Sequence, residues 1–76
     1  MQSNVEPGKY RHYKWKFYKV IWIAKHSETL EDMVVYQALY NHKKFGKNTL
    51  WVRPKDMFLE SVKVNWKTVK RFEKIE

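Results

Sequence analysis

The run Phe17–Lys25 and the segments after it narrow the possible folds more than any other part of the chain. It is dominated by β-branched and aromatic residues, which suit a pleated strand better than a helix. Tyr18, Val20, Trp22 and Ala24 recur at period two and define one apolar face. Ile21 and Ile23 fall on the other face, predicting a central strand partly covered on both sides. A polar stretch, His26-Ser27-Glu28-Thr29-Leu30-Glu31, leads into residues 33–40, a second strong strand apolar on both faces. Asn41 to Asn48 reads as a polar loop with one glycine, and residues 49–53 as a third strand. Pro54 removes the ladder donor that would extend that strand.

The remaining segments are shorter. Arg11, His12 and Tyr13 alternate as on a strand. Pro54 is well placed to open a single helical turn over Lys55–Phe58. Val62 and Val64 alternate with polar neighbours as a half-buried strand, and residues 68–75 make a last strand. Five or six short strands with tight turns and one helical turn predict an all-β fold. The expected form is a small, strongly bent antiparallel barrel of the SH3 type. The alternative is an open antiparallel sheet with one edge uncovered.

With 76 residues the chain is one domain, near the lower limit for a core that folds without staples. There is no cysteine, so disulfides and thiolate metal sites are excluded. Aromatic residues make up 17% of the chain, an efficient way to bury apolar area in a small domain. Residues 1–8 read as a short disordered lead ending in Pro7-Gly8, and residues 9–76 as the domain. No apolar run approaches a membrane span, and the first residues lack the regions of a signal peptide. A cytoplasmic protein without membrane association is expected.

Short motifs spread along the chain carry a resemblance. Tyr10-Arg11-His12-Tyr13-Lys14, His26-Ser27-Glu28-Thr29, Val35-Tyr36 with Leu39-Tyr40, Trp51-Val52-Arg53-Pro54, Met57-Phe58 and Arg71-Phe72 stand in order. In these the sequence resembles a small bacterial and phage-borne domain family with no assigned function. The resemblance implies a compact β domain and no known reaction. Where that family has glycine after its opening motif, this chain has Trp15. In the last hairpin it has Asn65-Trp66 in place of Asp-Gly, and before the closing pair Lys70 in place of proline. Tryptophan at a tip that keeps a positive φ costs roughly 1–2 kcal/mol, so reshaped turns are expected, with Asn65 taking the left-handed position.

Charge is unevenly placed. The formal net charge is +8, and residues 9–25 hold six basic side chains and no acid. Residues 43–55 hold five more, again without an acid. Brought to one face, these segments would suit phosphate or another polyanion; otherwise they keep a small domain soluble. Lys14-Trp15-Lys16 and Asn65-Trp66-Lys67 each set an indole beside lysine at a hairpin tip. Such a ring stacks on a nucleobase or anchors a protein contact, unless it folds back as a lid over the domain.

The resemblance also points to a second constellation, since Arg11, His12, His26, Glu28, Tyr36, Tyr40, Trp51 and Arg53 match the family's polar and aromatic positions. Arginine offers a planar fork to phosphate or carboxylate, and tyrosine or tryptophan a stacking wall. The competing structural reading pairs Arg53 with Glu28 or Glu31 to pin the loop. His26-Ser27-Glu28 does not make a triad by adjacency, because geometry in the fold decides that. No spaced metal-ligand motif is present. The expectation is a non-enzymatic module without cofactor or metal that binds an anionic, base-containing ligand. Single-stranded nucleic acid or a nucleotide comes first, and an SH3-like peptide-interaction module is the alternative.

Overall fold

A computed structural model describes residues 5–76, so the first half of the expected disordered lead lies outside the described residues. In chain order the elements are β1 (Gly8–His12), β2 (Phe17–Lys25), β3 (Asp32–Ala38), β4 (Asn41–His42) and β5 (Gly46–Lys47). There follow β6 (Leu50–Pro54), α1 (Lys55–Phe58), β7 (Ser61–Val64), β8 (Lys67–Lys70) and β9 (Phe72–Lys74). The fold is mostly β, as expected, and the strand over Phe17–Lys25 has its expected bounds.

Five strands form one antiparallel sheet in the order β6-β3-β2-β1-β9. The two hairpins β4-β5 and β7-β8 stand apart from it. The expected closed barrel is not formed: β6 and β9 lie at opposite edges and do not pair. The physical reason lies in how the inner face is covered. Tyr10, Val20, Val34, Tyr36 and Phe72 bury that face against Phe58 and Val5. Phe58 lies flat on Phe72, ring centroids 4.2 Å apart, and meets Tyr10 edge-on at 5.5 Å. A single helical turn opened by Pro54 thus supplies the apolar lid that barrel closure would otherwise provide.

Three further expectations change. Val5 is buried, the Tyr10 hydroxyl donates to the Glu6 carbonyl at 2.9 Å, and Gly8 begins β1. The expected lead therefore does not extend over residues 5–8. The register of β2 on β3 shifts between Val20 and Trp22, a bulge that switches which side chains face inward. Tyr18, Val20 and Ile23 serve the core, while Trp22 is 62% exposed on the outer face, so the expected period-two face breaks at Ile21. The expected last strand over residues 68–75 is two strands. β8 pairs with β7 and β9 with β1, and Arg71 between them accepts from the Tyr13 amide and donates to the Glu60 carbonyl, both at 3.0 Å.

The two Trp tips keep left-handed backbone. Trp15 has φ 66° where β1 turns into β2; Asn65 at 51° and Trp66 at 69° form the two-residue link between β7 and β8. Two successive positive φ values there are the signature of a type I′ turn. Neither tip is reshaped to spare its tryptophan; Asn65 takes the left-handed position as expected, and Trp66 takes it too.

Candidate ligand-binding site

The inner face of the sheet does not stop at the core. Beyond Val20, Tyr36 pairs with Trp51, and Val34 with Arg53, which carries the face out to edge strand β6. There Tyr18, Tyr36, Trp51 and Arg53 meet Tyr40 and His42 around a cavity of about 250 Å³. The Tyr18 and Tyr40 hydroxyls share a hydrogen bond of 2.9 Å, and Arg53 Nε donates to the Tyr36 hydroxyl at 3.3 Å. The Arg53 guanidinium also lies 5.7 Å from the Phe72 ring centroid.

The surroundings are electropositive. Among the described residues the ion pairs are Arg11–Glu73, Lys25–Asp32 and Arg71–Glu60, so Arg53 pairs with neither Glu28 nor Glu31. Burial, then the charges of Arg71, Arg53 and Lys14, holds the His12 imidazole below its ordinary pKa. Burial and the bond with Tyr40 push the Tyr18 hydroxyl far up, so it stays protonated and neutral. Trp51 Nε1 is buried without a hydrogen-bond partner among the described residues. Lys16 sets its ammonium 4.6 Å from the Tyr40 ring centroid at the edge of this cluster.

A second hollow of about 470 Å³ lies between the β1–β2 tip and the β7–β8 hairpin, lined by Arg11, Tyr13, Trp15, Val64 and Val69 among others. Arg11 bonds Glu73 at 2.8 Å and lays its guanidinium 4.6 Å from the Trp15 ring centroid. Trp15 stays 70% exposed and Trp66 97% exposed, so neither ring is a lid.

Residues 8–74 match the model of a family described as protein of unknown function DUF1653. The chain belongs to the DUF1653 family. It is similar to the crystal structure of a DUF1653 protein from Bordetella bronchiseptica, 30% identical with a TM-score of 0.84, over 95% of this chain and 88% of that one. No curated protein matches. The expected family of unassigned function is therefore the right one at that level.

In this DUF1653 domain the sequence-derived residues fall into three groups. Tyr36, Tyr40, Trp51 and Arg53 come together in the inner pocket. His12 stands beside it, its ring 6.2 Å from Tyr18 and 4.9 Å from Phe72. Arg11 and Trp15 belong to the second hollow, and Trp66 stands alone at its tip. Like Trp66, His26 and Glu28 belong to neither. His26 Nδ1 accepts the amides of Glu28 and Thr29 at 3.2 and 3.4 Å, and the Glu28 side chain is exposed in the β2–β3 loop. Among the described residues no three His, Cys, Asp or Glu side chains gather as a metal would require, and no helix is long and apolar enough to cross a membrane.

Sequence reasoning missed Tyr18 and His42 as pocket residues. A signal for His42 existed. His12 accepts the Lys14 amide at 3.2 Å, and His42 those of Lys44 and Phe45 at 3.0 and 3.3 Å. Each histidine in the chain thus stands at or just after the end of a strand and caps the following turn through Nδ1, as Asn or Asp side chains do elsewhere. Accepting at Nδ1 places the proton of the neutral ring on Nε2.

Proposed function

We propose that this domain is a non-enzymatic binding module for an anionic, base-containing ligand, with single-stranded nucleic acid ahead of a free nucleotide. The observation that carries the reading is Arg53, a guanidinium without a carboxylate partner among the described residues, set in a wall of three tyrosines, His42 and Trp51. Such a fork meets phosphate or carboxylate bidentately, and the rings offer a stacking surface for a base. A cavity of about 250 Å³ holds a single base or a small anionic group rather than a larger cofactor. The net charge of +8 favours approach of a polyanion to any face.

Titration of the ¹⁵N-labelled domain with a nucleoside monophosphate and with a short mixed-sequence oligonucleotide tests it. Shifts are expected at Tyr36, His42, Arg53 and the Trp51 indole, weakening as salt rises. Arg53→Gln should lower affinity at least tenfold with the fold intact. Silence of both ligands at low salt rejects the reading.

One observation favours the peptide-binding alternative. Trp22, Leu50 and Val52 are exposed on the outer face of the sheet, two of them on edge strand β6. An apolar face beside an open edge is the setting in which an extended peptide adds as a further strand. That reading predicts shifts at Leu50 and Val52 with a protein partner, and little response to salt.

A further inference from the structure

Resting on the nucleic-acid reading, we infer that the hollow at Trp15 and Arg11 is a second base-binding subsite, joined to the Arg53 pocket across the β1–β2 tip. The natural ligand is then a single strand of several nucleotides and not a mononucleotide. Three observations carry this. Trp15 holds a left-handed backbone at φ 66°, a conformation that costs a side chain, while keeping its ring 70% exposed. Arg11 lies 4.6 Å from the centroid of that ring, which pre-orients the indole and sets a cation beside any base stacked on it. The residue after Trp15, Lys16, stands 4.6 Å from the ring of Tyr40, which lines the inner pocket. One short tip therefore offers a stacking ring and, next to it, an ammonium that reaches the pocket-wall Tyr40.

The chemistry of a single strand suits that order. One base enters the Arg53 pocket, the phosphate beside it meets Lys16, and the next base stacks on Trp15 with Arg11 behind it. The β7–β8 hairpin lines the far side with Val64, Val69 and Lys70, so the track continues toward another cation. Glu73 stays bonded to Arg11 at 2.8 Å, which holds the guanidinium under the ring rather than leaving it to take the phosphate alone. Linked subsites turn the second contact into an intramolecular one, and affinity rises with ligand length until both are filled.

The test compares thymidine monophosphate with a thymidylate pentamer on the intact domain, read by indole fluorescence and by NMR. The pentamer is expected to bind at least tenfold more tightly. Trp15→Gly, which suits the left-handed backbone, should remove most of that gain and leave monophosphate affinity within about twofold, whereas Lys16→Gln should weaken both ligands. The pentamer should also show a log–log salt slope of about −1.4, from roughly −0.7 for each phosphate met by Arg53 and Lys16. A monophosphate that binds as well as the pentamer, or a length gain that survives Trp15→Gly, overturns the second subsite and leaves the pocket standing. Failure of both ligands to bind removes the nucleic-acid reading, and this inference with it.

Discussion

Trp66 shows what a single residue can reveal. It lies at φ 69° and is 97% exposed, so it carries backbone strain and gains no burial. A left-handed non-glycine residue costs roughly 1–2 kcal/mol, less the roughly 0.5–1 kcal/mol of backbone freedom that glycine would lose on folding. Trp66→Gly should therefore stabilise the domain by about 0.5–1 kcal/mol, at about 4–8 °C in Tm per kcal/mol for a domain of this size. Thermal melts would show it, and a fall in Tm would mean that the ring makes contacts its exposure denies. His12 makes the second prediction at this scale. Its folded pKa lies below the ordinary 6.5, so between the two values the unfolded chain binds more protons. The neutral ring's contribution is fully present above about pH 6.5 and is lost as pH falls through the folded pKa. Asparagine can accept the same Lys14 amide without titrating. Wild type should lose Tm relative to His12→Asn between pH 7.5 and 5.5; parallel curves would remove His12 as the titrating group.

Among the elements, α1 has an influence out of proportion to its length. Its four residues could not hold a helix alone, yet Phe58 touches Tyr10, Tyr36 and Phe72 and is fully buried. Phe58→Ala removes the lid from an open sheet, at about 3–5 kcal/mol, a large part of what a domain this small can have. Loss of cooperative unfolding and of dispersed NMR shifts is expected, and a well-folded variant with a modest Tm change would show that the core closes some other way. The β2 bulge is the other decisive local feature. By switching faces at Ile21 it gives Ile23 to the core and Trp22 to the outer surface. The exposed apolar face of the sheet, with Trp22 on it, depends on this switch.

For the whole molecule, charge dominates. Sixteen Lys and Arg face eight Asp and Glu, and the ion pairs among the described residues are all partly exposed. Exposed pairs of this kind add little stability, whereas the surplus of like charge opposes compaction. Salt should therefore move two observables in opposite directions. From 50 to 200 mM salt, Tm should rise slightly while affinity for an oligonucleotide falls. Affinity that held constant over that range would show that phosphate contacts contribute little, and would favour the peptide reading.

Much of this was legible in the residues alone. The strand over Phe17–Lys25 and the helical turn after Pro54 follow from side-chain type, period two and proline placement, which are local properties, while the aromatic and arginine positions around Arg53 come from the resemblance. The departures concern what local pattern cannot carry. Whether β6 meets β9, whether Arg71 breaks a strand, and where a bulge falls depend on contacts between segments far apart in the chain. The same holds for the site. His26 and Glu28 looked equal to Arg53 as candidates, but only the tertiary structure binds His26 to its own turn and leaves Arg53 among the tyrosines. Sequence determined which chemical groups the domain owns and the strands that present them. Packing decided which of those groups meet, because distance in space is set by the sheet's register and by the one aromatic lid that closes it.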